Sequence, residues 1–236
     1  MTVDIVIRTY RGDLEWLSYA LKSIHKYVIG YRNIIVAIPT DDVRLLSHLT
    51  QEKVVGVHDL EDGYLGQQLT KMQAWKLTDA DAVVFWDSDV VATRPIDVRT
   101  EYFRDRKIII YKTRYSSLGD ACPWQPITAK AVRFVPEWEY MRRMPLAYWS
   151  ETLERCESYL NHSHGTTLDL YLRSQPHRAF SEFNVLGAYA EAYDGSGYAM
   201  IDTESVEMPP CAVDQMWSWG GLTNEVKIKM EAYGLA

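Results

Sequence analysis

The 236-residue sequence has little of several things, and each shortage excludes a class of protein. Its three cysteines, Cys122, Cys156 and Cys211, are odd in number and show neither a CxxC pair nor zinc spacing. That excludes a disulfide-built scaffold and suits a reducing compartment, with buried small apolar residues as the plain reading of all three. No apolar run approaches the roughly 18 residues of a membrane span. Met1 leads within a few residues into a strand-like segment rather than a charged start and apolar signal region, so a soluble, cytoplasmic protein is expected. Repeats, low-complexity tracts and linkers are also missing. With 47% apolar and 24% charged residues, the composition excludes disorder, collagen and coiled coil. A chain of this length buries on the order of 70% of its unfolded surface, enough for a core without staples.

What is there begins with an alternation. Residues 2–9 are short and rich in β-branched types, and Asp13 is placed to cap a helix carrying Leu14, Leu17, Leu21, Ile24 and Val28 on one face. Residues 33–39 form a second apolar run, 43–49 a short helix, 54–58 a third strand, and 63–77 a helix through Leu65, Leu69 and Met72. Residues 82–86, Ala-Val-Val-Phe-Trp, do not alternate, as expected of a strand buried on both faces. Strand and helix in turn predict a parallel α/β sheet.

The regularity weakens after the apolar run at 107–111. Prolines break up residues 121–145, where one short helix is expected near 138–144. Helices are predicted at 151–160, 167–173 and 182–193, the last with Ser181 as its cap, and a strand at 198–202. A loop then runs from Pro209 through Trp217 and Trp219 to Gly220 and Gly221. The expectation is one domain over residues 1–236, with a regular first half to about residue 100 and a loop-rich second half.

The sharpest feature is Asp87-Ser88-Asp89, directly at the carboxyl end of the 82–86 strand. Ligands of open α/β sheets bind at that end, and two carboxylates there offer hard oxygen ligands to Mg²⁺ or Mn²⁺, which can bridge them to a diphosphate. The plain alternative is a polar turn ending a strand. Arg8, Arg11 and Lys71 are candidate diphosphate partners by charge, and Tyr10 is a candidate base-stacking or packing residue. His162 and His164 form an HxH without a nearby acid or cysteine of suitable spacing, so a loop or acceptor contact is expected rather than zinc.

These features together resemble the GT-A superfamily of nucleotide-sugar-dependent glycosyltransferases, in its short bacterial and phage members. Arg8-Thr9-Tyr10-Arg11 looks like the nucleotide-contacting turn after the opening strand. Gly63-Tyr64 with Gln67-Gln68-Leu69-Thr70-Lys71-Met72 looks like the helix before the DxD strand. Ser181-Glu182-Phe183-Asn184 is similar to the acidic motif facing the acceptor, and Trp217-Ser218-Trp219-Gly220-Gly221 to a closing loop. The resemblance implies a Rossmann-like GT-A fold and a nucleoside diphosphate sugar as donor. It implies Asp87 and Asp89 as ligands of Mn²⁺ or Mg²⁺, and donor contacts from Arg8, Thr9, Tyr10, Arg11, Gln68, Lys71 and Ser88. Glu182 is expected as the base of an inverting transfer. Superfamily members often add a C-terminal histidine to the metal, but none follows His177 here, so Asp214 or water is the expected substitute.

The net charge of −7 is uneven. Arg94 to Arg143 holds 11 basic residues against six acidic ones, which makes that segment +5 and the rest −12. If those cations share a face they favour a polyanionic acceptor. The acceptors expected are a glycan or lipid-linked sugar, or a hydroxymethylated DNA base extruded near Trp124 and Trp138. A solvated charged surface is the plain reading. Two other classes stay open: a metal-dependent nucleotidyltransferase, although its usual Gly-rich loop is reduced here to Gly12, and a non-catalytic carbohydrate-binding module using the eight tryptophans and 16 tyrosines.

Overall fold

A computed structural model describes residues 1–119 and 123–235; Cys122 lies outside them. The first half runs β1 (Val3–Arg8), α1 (Leu14–Tyr27), β2 (Ile34–Pro39), β3 (Lys53–Val57), α2 (Gly63–Met72), β4 (Ala82–Asp87) and β5 (Val90–Ala92). The second half runs β6 (Lys107–Arg114), α3 (Trp124–Val132), β7 (Leu146–Trp149), α4 (Ser150–His164), α5 (Leu168–Arg173), α6 (Glu182–Tyr193), β8 (Tyr198–Asp202), β9 (Val213–Gln215) and α7 (Asn224–Ala232).

The main sheet has the order β3-β2-β1-β4-β7, with the first four strands parallel and β7 antiparallel at the edge. It is an α/β architecture of the Rossmann-like kind, a mostly parallel mixed sheet flanked by helices. β1, β2 and β4 are apolar and buried along nearly their whole length because helices cover both faces. From β1 the chain winds outward through β2 to β3, then returns to the other side of β1 for β4. The order therefore reverses between β1 and β4, where the carboxyl ends open a crevice. Arg8 and Asp87 are register partners at that point.

Two smaller sheets complete the crevice walls. β6 pairs with β8 in parallel and with the two-residue strand Trp138–Glu139. β9 pairs with β5, so the C-terminal segment is laid beside the stretch that follows Asp87-Ser88-Asp89. Its helix α7 is latched to α1 by a small cluster of Trp16, Val91, Met230 and Leu235, and by Tyr27, whose hydroxyl donates to the Tyr233 carbonyl at 3.0 Å.

Four local expectations are corrected. No helix forms at 138–144: Trp138 pairs with Arg114 in a ladder and lies between the Lys112 ammonium at 4.0 Å and the Arg114 guanidinium at 4.3 Å from its ring. The helix is α3 instead, whose first turn tolerates Pro126. Residues 40–46 are 3₁₀ rather than an α-helix over 43–49, and α2 stops at Met72 before a 3₁₀ turn, Ala74–Lys76. His162 and His164 belong to the last turn of α4, which Gly165 closes in the left-handed conformation.

Candidate active site

The N-cap of α2 is Asp62, whose carboxylate accepts from the Tyr64 and Leu65 amides at 2.9 and 3.3 Å. Helical spacing then puts Tyr64, Gln68 and Lys71 on one face, turned toward the start of α6. Gly66 sits on the opposite side, where a Cβ would meet Asp59 Oδ1 at 2.0 Å, so glycine is what admits the Asp59 loop. Lys71 is buried, with Nζ 2.8 Å from Asp87 Oδ1, 3.0 Å from Glu182 Oε1 and 4.8 Å from the centre of the Phe183 ring. Burial works against its charge, but the two carboxylates outweigh that and hold the ammonium charged well above the ordinary lysine range. The Glu182 amide donates to Gln68 Oε1 at 3.2 Å, fixing the start of α6 against α2.

On the other side of Asp87 stands a carboxylate that sequence alone places elsewhere. Asp13 occupies the N-cap position of α1 but makes no side-chain cap bond. Its Oδ2 accepts from Ser88 Oγ at 3.1 Å, and Tyr10 and Ser218 also hydrogen-bond to it. Burial, and then the neighbouring Asp87 charge, push Asp13 above the usual carboxylate value. Asp89 is raised by burial first and by Asp87 and Asp13 next, against the opposing hydrogen bond from the Ser218 amide at 2.8 Å. The sequence signal for Asp13 was only its capping position, which concealed this role.

The remaining site residues divide. Gln68 and Ser88 join the crevice as described, and Thr9 is buried with, among the described residues, no partner for Oγ1. Tyr10 is half exposed at its rim. Arg8 is buried at the end of β1, with its guanidinium 3.0 Å from Asp59 Oδ1 and bonded to the Thr9 carbonyl, while Nε has no partner among the described residues. Arg11 forks onto Asp42 at the surface. The three cations expected on a diphosphate are thus each held by carboxylates of the protein. Asp214 Oδ2 accepts from Lys229 Nζ at 2.8 Å and from Tyr233 Oη at 3.0 Å.

Asp87 commits Oδ1 to Lys71 and Asp89 commits Oδ2 to the Ser218 amide. Their other oxygens, beside Asp13, fit a hard divalent cation whose ligand set is completed by water and phosphate, the usual habit of Mg²⁺. Among the described residues, no three His, Cys, Asp or Glu side chains converge tightly enough to enclose a metal by themselves. His164 accepts an Arg133 contact at 3.0 Å and meets the Ala131 carbonyl at 2.8 Å, a packing role.

Several cations of the basic segment are engaged within the chain. Arg94 and Arg143 bind the Pro210 carbonyl, Lys112 pairs with Glu191, Arg114 with Glu137, and Arg142 with Glu139. Trp138, a candidate wall for an extruded base, is sandwiched between two of these cations. A cavity of about 920 Å³ lined by Asp81, Phe103 and Trp149 opens at the amino end of β4, the far end of the strand from Asp87. The fold and crevice define an α/β protein with a carboxylate-rich site at its switch point. Comparison with known proteins finds no matching family model and no matching curated relative.

Proposed function

We propose that the protein is a GT-A-type glycosyltransferase, transferring a sugar from a nucleoside diphosphate sugar to an acceptor hydroxyl with inversion. The observation that carries this reading is the pair of ion contacts made by Lys71. Through them a carboxylate of the DxD strand in the first half and a carboxylate opening a helix of the second half face each other across one buried ammonium group. A donor site and an acceptor base need such a juxtaposition, and a carbohydrate-binding module has no use for it.

In this reading the donor diphosphate lies over Asp87, Ser88 and Asp89, and a divalent cation there would neutralise the charge that develops as it leaves. Lys71 occupies Glu182 Oε1 and orients the carboxylate, so Oε2 is the oxygen offered to the acceptor. As the acceptor oxygen bonds to the anomeric carbon and the bond to the diphosphate breaks, Glu182 takes the hydroxyl proton. Tyr10 and the exposed Trp217 and Trp219 flank the donor side as stacking surfaces. A glycan or lipid-linked sugar is kept ahead of DNA as acceptor, since several of the segment's cations, Lys112, Arg114, Arg142 and Arg143, already pair with carboxylates. Three cysteines without pairing or zinc spacing support a reducing compartment such as the cytoplasm.

The test is release of nucleoside diphosphate from a panel of nucleotide sugars with Mn²⁺ or Mg²⁺, with Asp87→Asn and Glu182→Gln as controls. Turnover that requires both carboxylates supports the reading. Release unaffected by either substitution, or a product of retained anomeric configuration, would overturn the inverting mechanism assigned here.

A further inference from the structure

Among the described residues, five non-glycine residues adopt positive φ. Asp105 and Arg106 lie between the paired segments Phe103–Arg104 and Lys107–Arg114, and Arg133 closes α3, all ordinary uses of the left-handed region. The other two are Trp217, which precedes the 3₁₀ turn Ser218–Gly220 whose Ser218 amide holds Asp89, and Arg178, in a turn ahead of α6. Arg178 has φ 61° and is the third residue of the turn Pro176–Ala179, closed by the Ala179 amide on the Pro176 carbonyl at 3.0 Å. A turn with positive φ at that position ordinarily takes glycine, and arginine is an uncommon occupant of it.

That side chain is exposed and, among the described residues, has no hydrogen bond or ion pair, unlike Arg8, Arg11 and Lys71. Its neighbour His177 bonds Asp62 Oδ2 at 2.9 Å and leans on Tyr64, ring centres 5.3 Å apart. Tyr64 is in turn within electrostatic reach of Glu182, Lys71 and Arg178. The segment from Pro176 to Glu182 thus runs from an unpartnered guanidinium, past a half-buried aromatic ring, to the proposed base. Along the crevice the carboxylates Asp13, Asp87, Asp89 and Glu182 outnumber the Lys71 ammonium, which two of them already hold, so an incoming anion needs a further cation.

We propose that the acceptor carries an oxyanion, a phosphate or carboxylate near its attacking hydroxyl, which Arg178 receives beside Tyr64 and His177. The inference rests on the glycosyltransferase reading and names its acceptor class. A guanidinium forks onto either oxyanion with paired hydrogen bonds, which an ammonium cannot reproduce. A neutral sugar would leave Arg178 unused.

Binding of glucose 6-phosphate, glucuronate and methyl glucoside to the full chain is measured by calorimetry, with Mn²⁺ and a nucleoside diphosphate present. The variants are Arg178→Gly, which suits the left-handed backbone and removes only the cation, and Arg178→Lys. At least one anionic probe should bind the wild type, the better of the two identifying the oxyanion. Arg178→Gly should weaken it by at least about tenfold. Arg178→Lys should fall between, and nucleoside diphosphate binding should be unchanged in both. Methyl glucoside binding as well as the anionic probes, no binding by either anionic probe, or affinity within about twofold in Arg178→Gly would each overturn the proposal. Failure of nucleoside diphosphate to bind, while an anionic sugar still binds through Arg178, would overturn the glycosyltransferase reading and leave the anion site standing.

Discussion

The carboxylates of Asp87 and Glu182 share one ammonium group, that of Lys71, at 2.8 and 3.0 Å. Removing one member of a buried ion network leaves the others uncompensated, typically at a cost of about 3–5 kcal/mol. Lys71→Met should therefore lower stability to urea by about that amount. Adding Glu182→Gln should recover part of the loss, because one of the two stranded charges is gone. Strict additivity in this double-mutant cycle would show that the two side chains are not coupled.

A divalent cation at Asp87 and Asp89 would bind the native state alone and so raise its melting temperature. The expected gain is about 2.7 kcal/mol at 100 times the dissociation constant. Thermal unfolding with Mn²⁺ and with EDTA checks this, and Asp89→Asn should abolish most of the difference. Equal melting temperatures in both conditions for the wild type would remove the cation from the site.

Burial and the Asp87 charge raise Asp13 above its ordinary value of 3.8. A carboxyl raised in the folded state binds its proton more tightly there than in the unfolded chain. Its contribution to stability is thus lost as pH rises from about 3.8 through the raised folded value. Asp13→Asn should accordingly be more stable than wild type at neutral pH in EDTA, with the gap closing on acidification. A gap that widens toward acid would contradict the environment described for Asp13.

Trp219 is 85% exposed beside Ser218, whose amide holds Asp89. Trp219→Ala should shift stability by no more than about 0.5 kcal/mol. If its ring stacks on the donor, the same change should weaken nucleoside diphosphate binding by about 1–3 kcal/mol, the range for base–aromatic stacking. Quenching of tryptophan fluorescence by the nucleotide, reduced in the variant, is the measurement. Unchanged affinity and quenching would restrict Trp219 to a surface role.

Much of the architecture was legible locally. The period of apolar residues located β1, β2 and β4, and the bounds expected for α6 and β8 coincide with those observed, because each segment's burial pattern is written in its own residues. Residues 138–144 misled for a physical reason: Trp138 is held in a ladder by cations on a neighbouring strand, and tertiary pairing overrode local preference.

The sequence by itself determined the alternating α/β pattern, the placement of Asp87-Ser88-Asp89 at a strand's carboxyl end and the acidic start of α6. Only the tertiary structure decided which charge meets which. By residue type Lys71 reads as a phosphate ligand and Asp13 as a helix cap. Their partners, Glu182 and Ser88, lie 111 and 75 positions away. Side-chain chemistry is carried by the chain, but pairing in a buried crevice depends on strand order and helix packing, which bring distant segments together and exclude the water that would otherwise screen their charges.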